Sequence, residues 1–265
     1  MSALRRAYLG LILLFIYMPI LVLVVLSFNA SRSRNTWAGF SLHWYIEMFR
    51  DATIVSALYN TIAIAVLAAV IATVFGTVAA VGLNSMGRRS RSIWMSVNEL
   101  PVLNPDIVTG VSLMVLFISA FRLFGFGKLG FVTLLIAHIV FDTPYVILAI
   151  MPKLRQLDKN LYEAALDLGA TPRYAFFKII LPEISPGVIT GAMLAFTMSI
   201  DDFVISFFTT GSGVNNISTM VYSMTRRGIN PKINALSALM LVVVIIMLFI
   251  INKRDIAKGE MANEN

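Results

Sequence analysis

Two long stretches without a single charged residue constrain this chain more than any other feature. They cover residues 7–31 and 52–87. Each is long enough to cross the ~30 Å hydrocarbon core of a bilayer as an α-helix. A backbone in lipid must satisfy its own hydrogen bonds, which leaves helices and closed barrels as the spanning structures. The first stretch is too long for the apolar part of a secretory signal, so we expect an uncleaved helix.

Composition extends this interpretation to the whole chain. Of its 265 residues, 58% are hydrophobic and 13% are charged, whereas soluble domains are about 45–50% apolar and about 25% charged. The absence of cysteine excludes disulfides and thiol chemistry. We attribute the net charge of +7 to loop Lys and Arg at the membrane surface. The expected partner is therefore membrane lipid and not nucleic acid, and no metal site is expected.

The pattern predicts an all-α integral membrane protein with six transmembrane helices in one domain, residues 1–265. The predicted spans are 8–28, 56–83, 93–121, 129–150, 187–208 and 235–251. Most of the 21 Lys and Arg flank these spans on one side, so the positive-inside rule predicts cytoplasmic N- and C-termini. Pro101 and Pro105 predict a bent or broken start to the third span.

The cytoplasmic loop, residues 153–185, contains a short amphipathic helix. We expect the Asn160 side chain to cap this helix, with Glu163 in the capping-box position. One helical face then carries an apolar stripe, formed by Leu161, Ala164, Ala165 and Leu168. An apolar face in an exposed loop requires something to cover it, which is either a partner protein or the lipid surface.

The second half of this loop carries turn and cap signals. Gly169 is expected to end the first helix in a left-handed turn. Thr171 followed by Pro172 predicts a new helix, with threonine as the cap and proline at the first position. We expect Pro182 and Pro186 to close the loop before the fifth span.

This loop resembles the EAA loop of ABC importer permeases over seven motif positions. These positions are Glu163, Ala164, Ala165, Gly169, Ile179, Leu181 and Pro182. The resemblance implies the type I ABC importer permease fold, in which this loop forms a coupling helix that docks on a separate ATPase subunit. The chain itself has no P-loop. We therefore expect no enzyme activity and no bound cofactor, with ATP and Mg held by the partner ATPase.

Acidic residues within the predicted spans point to a cationic substrate. They are Glu99, Asp106, Asp142, Asp201 and Asp202, and no Lys or Arg lies in any predicted span. Each charge costs about 2.5–3.5 kcal/mol at the bilayer centre on insertion scales, so these side chains should face protein or water. We predict a substrate pathway through Asp106, Asp142, Asp201 and Asp202, with Tyr145 and Phe203 adding cation–π contacts.

The same side chains also have structural interpretations. Asp142 is alternatively the cap of a helix break before Pro144, and Asp106 is alternatively a first-turn acid that favours the helix dipole. Asp201 and Asp202 point about 100° apart on a helix, so we expect at least one to face the pore. For His138 we favour a hydrogen-bonded core residue over a ligand.

A second resemblance extends along nearly the whole chain. Segments 105–108, 169–170, 178–182, 199–204 and 233–236 are similar to the second permease subunits of bacterial spermidine/putrescine importers. Membership would imply a heterodimer with a homologous permease, an ATPase dimer, an extracytoplasmic substrate-binding protein and location in the bacterial inner membrane. Two alternatives remain: an ABC permease for another substrate, such as ferric ion or a sugar, and a secondary transporter or channel. A membrane scaffold is disfavoured by the cost of the five acids.

Overall fold

The computed structural model describes residues 3–33, 35–158, 160–211, 213–227 and 231–246, and of residues 3–7 and 227 the backbone alone. Within them the chain is helical, apart from loops and one isolated bridge between Asn29 and Phe40. The helices are α1 (Ala3–Ser27), α2 (His43–Arg50), α3 (Ala52–Ser85), α4 (Arg88–Leu103), α5 (Asp106–Phe124), α6 (Phe131–Gln156), α7 (Leu161–Asp167), α8 (Pro172–Ala175), α9 (Leu181–Asp201), α10 (Val204–Thr209), α11 (Ile217–Arg227) and α12 (Pro231–Ile246). A π-helical turn, Phe176–Ile180, joins α8 to α9.

Five helical segments of the described residues are long and apolar enough to cross a membrane. They are Tyr8–Ser27, Ala52–Ser85, Asp106–Phe124, Phe131–Gln156 and Pro172–Asp201. The predicted sixth span corresponds to α12, which is a shorter apolar helix in its described part. The end of that span, residues 247–251, and the C-terminus lie outside the described residues.

The third and fifth spans are each interrupted. The third is interrupted at Asn104 and Pro105, as the two prolines predicted, and the apolar helix begins only at Asp106. The fifth is interrupted at Asp202 and Phe203, which the sequence analysis did not predict.

The prediction that Pro182 and Pro186 close the cytoplasmic loop is wrong. Both prolines lie inside the continuous helical segment Pro172–Asp201. Pro182 lies two residues after the π-helical turn Phe176–Ile180. The backbone groups released by such prolines are accommodated in membrane proteins by neighbouring helices and local π adjustments.

The chain forms two compact units, residues 1–57 with 220–265 and residues 58–219. In the first, most of the described apolar side chains of α1 are exposed. The loop after α1 is held to α2 by the Trp44 Nε1–H, which donates to the Asn29 carbonyl at 2.7 Å. Lys232 Nζ lies 3.4 Å from Asp51 Oδ2 in the same unit.

The second unit is built around the close contact between α6 and α9. Gly187 and Gly191, one turn apart on α9, face α6. A Cβ on Gly191 would lie 3.1 Å from Val146 Cγ1 and 3.2 Å from Val146 Cα. Small residues at this spacing let membrane helices approach closely. A buried core extends on both sides of this contact, with members from α3, α6 and α9, among them Ala72, Val146, Ile150, Leu154, Ile184 and Ala195.

Candidate functional site: a coupling segment and an acidic span break

Within the predicted coupling loop, residues 153–185, residues 161–182 form a helix–turn–helix that leads directly into α9. We call it the coupling segment. Gly169 has φ of +87°, in the left-handed region that glycine adopts without strain. Its N–H donates to the Leu166 carbonyl at 2.9 Å, and the Ala170 N–H donates to the Ala165 carbonyl at 3.0 Å. The prediction that Gly169 ends the first helix is confirmed.

The two predicted caps of the coupling segment have different outcomes. The Thr171 hydroxyl accepts a hydrogen bond from the Tyr174 N–H at 3.3 Å with Pro172 at the first position, as predicted. The prediction for Asn160 is wrong, because its side chain makes no cap hydrogen bond. Asn160 has helical backbone angles, φ −88° and ψ −9°, whereas a capping residue normally takes extended angles that turn its side chain back.

Exposure divides the coupling segment into an inner and an outer face. Ala165 and Ala175 are buried, whereas the Leu168 side chain is 90% exposed and Glu163 is exposed. The predicted apolar stripe is therefore covered only in part. Its uncovered part borders a groove of about 490 Å³, lined by Ala165, Leu168, Gly169, Ala170, Thr171, Tyr174 and Ile179.

The predicted motif residues at the end of the coupling segment differ in burial. Ile179 and Leu181 are half-buried, and Leu181 packs against the core between α6 and α9. Pro182 is exposed in the first turn of α9. Glu163 lines a second cavity, of about 630 Å³, together with Arg91, Arg155 and Tyr162.

The adjacent acids Asp201 and Asp202 lie in different environments at the far end of α9. Asp201 is the last residue of α9 and its side chain is exposed, whereas Asp202 is 8% exposed. The Asp202 carboxylate accepts hydrogen bonds from the Ile205 N–H at 3.2 Å and from the Ser206 N–H at 2.7 Å. Asp202 thus caps the start of α10, a structural role that the sequence analysis did not foresee.

Asp142 is fully buried on α6, one turn after His138. Within the described residues, neither of its carboxylate oxygens has a hydrogen-bond partner. The alternative interpretation of Asp142 as a cap before Pro144 is wrong, because α6 continues through Pro144 to Gln156. The Asp142 carboxyl is close enough to that of Asp202 for the two to repel each other when both are charged.

The remaining predicted pathway residues surround these acids. Asp106 is exposed in the first turn of α5, and its carboxyl lies within electrostatic range of the Tyr145 hydroxyl, as does the Asp142 carboxyl. Phe203 follows Asp202 and its ring lies 5.6 Å from that of Phe207. The structure thus gathers acids from α5, α6 and the α9–α10 break in the second unit. Their role in a substrate pathway stays a prediction.

His138 is a hydrogen-bonded core residue, as favoured from the sequence. Its Nδ1 lies 2.7 Å from Ser199 Oγ and its Nε2 lies 3.0 Å from Ser206 Oγ. Sequence reasoning missed the two serines. Their signal was present, because Ser199, Asp202 and Ser206 recur at helical spacing within an otherwise apolar span.

Comparison with known proteins places the chain in a family. The family described as "Binding-protein-dependent transport system inner membrane component" matches residues 72–253. The "Putrescine transport system permease protein PotI" of Escherichia coli (strain K12) is 44% identical over 238 residues, 89% of this chain and 85% of that protein. The "Spermidine/putrescine transport system permease protein PotC" of the same organism is 36% identical over 258 residues, 97% of this chain and 96% of that protein.

Solved structures share the fold at low sequence identity. A chain of a bacterial ABC transporter involved in the import of the acidic polysaccharide alginate matches with a TM-score of 0.74 and 16% identity, over 95% of this chain and 93% of that one. A chain of the MetNI methionine ABC transporter, in an inward-facing conformation, matches with a TM-score of 0.60 and 20% identity, over 82% of this chain and 99% of that one. The chain belongs to the binding-protein-dependent transport permeases, as a multi-pass inner-membrane subunit of an ABC importer with the type I permease fold.

Proposed function

We propose that this chain is one half of the translocation pathway of an ATP-driven importer for polyamines. The names of its relatives, which transport putrescine or spermidine, support this substrate class. The acids of the second unit are the feature of this chain that fits such a substrate, because they supply negative charge and the predicted spans 93–121, 129–150 and 187–208 contain no Lys or Arg. A polyamine presents ammonium groups, which carboxylates and aromatic faces bind.

The proposed mechanism rests on one observation. The helical segment Pro172–Asp201 runs without interruption from the coupling segment to the break between α9 and α10, where Asp201 and Asp202 lie. A force applied at Gly169 or Tyr174 would reach Asp201 through about 30 residues of packed helix. Helices in close contact move as units, because packed interiors deform little. The coupling segment thereby controls the position of the break and of the acids beside it.

The proposed partners are those that the permease family implies. The exposed side of the coupling segment is the docking surface for an ATPase dimer, which would hold ATP and Mg and perform the hydrolysis. A homologous permease would complete the pathway as the second half of a heterodimer, and an extracytoplasmic binding protein would deliver the cation. In this arrangement both termini lie in the cytoplasm.

The pathway residues divide by exposure. The exposed carboxyls of Asp201 and Asp106 are accessible to a passing ammonium group, and Tyr145 and Phe203 offer aromatic faces beside them. Asp202 lies in the core, where two backbone N–H groups stabilise its carboxylate, and it adds negative potential from behind, while Asp142 lies deeper in the same core. A potential of one sign in a low-dielectric cleft raises the local concentration of the opposite ion.

Uptake of labelled putrescine and spermidine tests this proposal in cells that lack the chain. Wild type should restore uptake. Asp201→Asn should reduce it roughly tenfold or more at low substrate, as expected for loss of a charge-assisted contact. Gly169→Asp, which places a negative charge on the exposed docking surface, should abolish it, whereas Gly169→Asn, which keeps the left-handed turn without the charge, should retain most of it. Membrane levels of each variant are the control.

The outcomes separate the parts of the proposal. Polyamine uptake that does not depend on the chain would exclude this substrate class while leaving the permease family intact. Normal transport by Gly169→Asp would contradict the coupling role of the segment. Normal transport by Asp201→Asn would remove this acid from the pathway.

A further inference from the structure

A buried polar network joins three helices at the break between α9 and α10. His138 on α6 contacts Ser199 on α9 at 2.7 Å and Ser206 on α10 at 3.0 Å. Its Nε2 also lies 3.7 Å from Asp202 Oδ2. Ser206 is fully buried, and the other three side chains are between 1% and 8% exposed. One imidazole ring therefore bridges the two sides of the break.

The donors and acceptors of the His138, Ser199 and Ser206 side chains can satisfy one another. A neutral imidazole donates from one ring nitrogen and accepts at the other, and each serine hydroxyl can rotate to donate or accept. The Asp202 carboxylate is occupied by the backbone N–H groups of Ile205 and Ser206. A satisfied network of this kind in a low-dielectric interior favours one arrangement of its helices.

The break needs this support because no proline creates it. Residues 187–208 contain no proline. Interrupting a helix leaves N–H and C=O groups without partners, which is costly where water is excluded. Asp202 satisfies the first N–H groups of α10, but it does not by itself hold α10 against α9. Ser199 and Ser206 lie on opposite sides of the break, and His138 contacts both.

The helix beyond the break is in turn packed closely on α5. A Cβ on Gly110 of α5 would lie 3.0 Å from Phe208 Cδ2 and 3.4 Å from Ile205 Cα. A displacement of α10 is therefore passed to α5, which begins at Asp106. The chain of contacts runs from the coupling segment through α9 to Asp201, and from α9 across the break and α10 to Asp106 on α5.

We propose that His138 is a positioning residue for transport, which clamps α9 to α10 across the break so that movement of the coupling segment reaches the acidic pathway. This inference rests on the proposed function and adds to it a residue that contacts neither substrate nor the ATPase. Without the clamp, α9 can move while α10 and α5 stay behind. The cycle of the ATPase then continues, but less substrate crosses for each ATP hydrolysed.

The test uses the complete transporter, reconstituted with its partner subunits in liposomes, and measures uptake and ATP hydrolysis in the same sample. His138→Phe keeps a ring but removes both hydrogen bonds, and His138→Gln keeps one donor and one acceptor. His138→Phe should lower the amount of substrate imported per ATP roughly tenfold, the effect expected from losing buried hydrogen bonds. His138→Gln should recover most of that ratio.

Thr143→Val is the matched control on the same helix. Its hydroxyl donates to the Ile139 carbonyl of α6 itself at 2.6 Å and so joins no second helix. The ratio of uptake to hydrolysis should remain that of wild type. A wild-type ratio in His138→Phe would overturn the proposal.

If His138→Phe loses both uptake and ATP hydrolysis, their ratio has no meaning, and a distance measurement across the break tests the clamp instead. The chain has no cysteine, so spin labels can be placed at Leu194→Cys on α9 and Phe207→Cys on α10, both exposed positions. The clamp predicts a narrow distance distribution that broadens in His138→Phe and narrows again in His138→Gln. An unchanged distribution in His138→Phe would overturn the proposal. This arm needs no substrate, so failure of the polyamine assignment does not affect it.

Discussion

The two interrupted spans of this permease are broken in opposite ways. Between α4 and α5, Asn104 and Pro105 take extended angles, with ψ of 145° and 136°, and the residues around them are exposed. No side-chain hydrogen bond caps the start of α5. Between α9 and α10, Asp202 is buried, caps the next helix and contacts a residue 64 positions earlier in the chain.

The difference shows that a span can be broken by covalent structure or by tertiary contacts. Proline lacks the N–H and disfavours helical angles in the residue before it, so Pro105 acts whatever surrounds it. Aspartate has no such effect and interrupts a helix only where its carboxylate receives N–H groups that would otherwise lack partners. The first break therefore depends on its local sequence, and the second depends on α6.

Asp202→Ala, which removes the residue that caps the helix after the second break, should cause the largest loss of stability. The change leaves two buried N–H groups of α10 without an acceptor, which should lower the free energy of unfolding by roughly 3 kcal/mol. Asp201→Ala is the matched control, and its exposed side chain should change stability by less than about 0.5 kcal/mol. Unfolding of the purified chain in mixed micelles by SDS titration measures both. Equal effects of the two variants would contradict the structural role of Asp202.

A smaller effect should follow from separating α9 from α6. Gly191→Ala places a Cβ 3.1 Å from Val146 Cγ1, and the nearby backbone leaves little room for movement. We expect a loss of roughly 1–2 kcal/mol. Gly82→Ala on α3 meets nothing within 4 Å and should instead gain up to about 1 kcal/mol from helix propensity. The same SDS titration compares them, and a stabilising Gly191→Ala would show that this close approach is not required.

The smallest change in stability, roughly 1 kcal/mol, should come from Pro101→Ala combined with Pro105→Ala. The expected signal is geometric, because α4 and α5 can then join into one helix. Spin labels at Val97→Cys and Val115→Cys, both exposed, should move to a separation of about 27 Å, the length of 18 helical residues. An unchanged separation would mean that tertiary packing holds the first break as well.

Local signals in the sequence predicted much of the coupling segment. Gly169, with its positive φ, and the Thr171–Pro172 start act through the backbone of a few neighbouring residues. The predictions for Asn160 and for Pro182 failed because the same residue types permit several local structures. Asn160 takes helical angles, and Pro182 enters a helix already begun at Pro172.

For the acids, the sequence predicted their presence in the membrane region but not their different environments. Asp201 and Asp202 are adjacent and chemically identical, yet one is exposed and the other is buried in a hydrogen-bond network. Their orientation depends on where α9 ends, and that in turn depends on His138 and Ser206. The helical spacing of Ser199, Asp202 and Ser206 marks one polar face, but it does not reveal that His138, more than 60 residues earlier in the chain, lies against that face.

The sequence by itself determined the membrane-spanning helical class, the first break and the coupling turn. Long uncharged runs, proline and glycine impose these features through solvation and backbone sterics, which need no partner. Only the tertiary structure decided the second break, the separation of Asp201 from Asp202 and the continuous helix from the coupling segment to the acids. These features exist because buried polar groups must find partners, and the fold determines which partners are within reach.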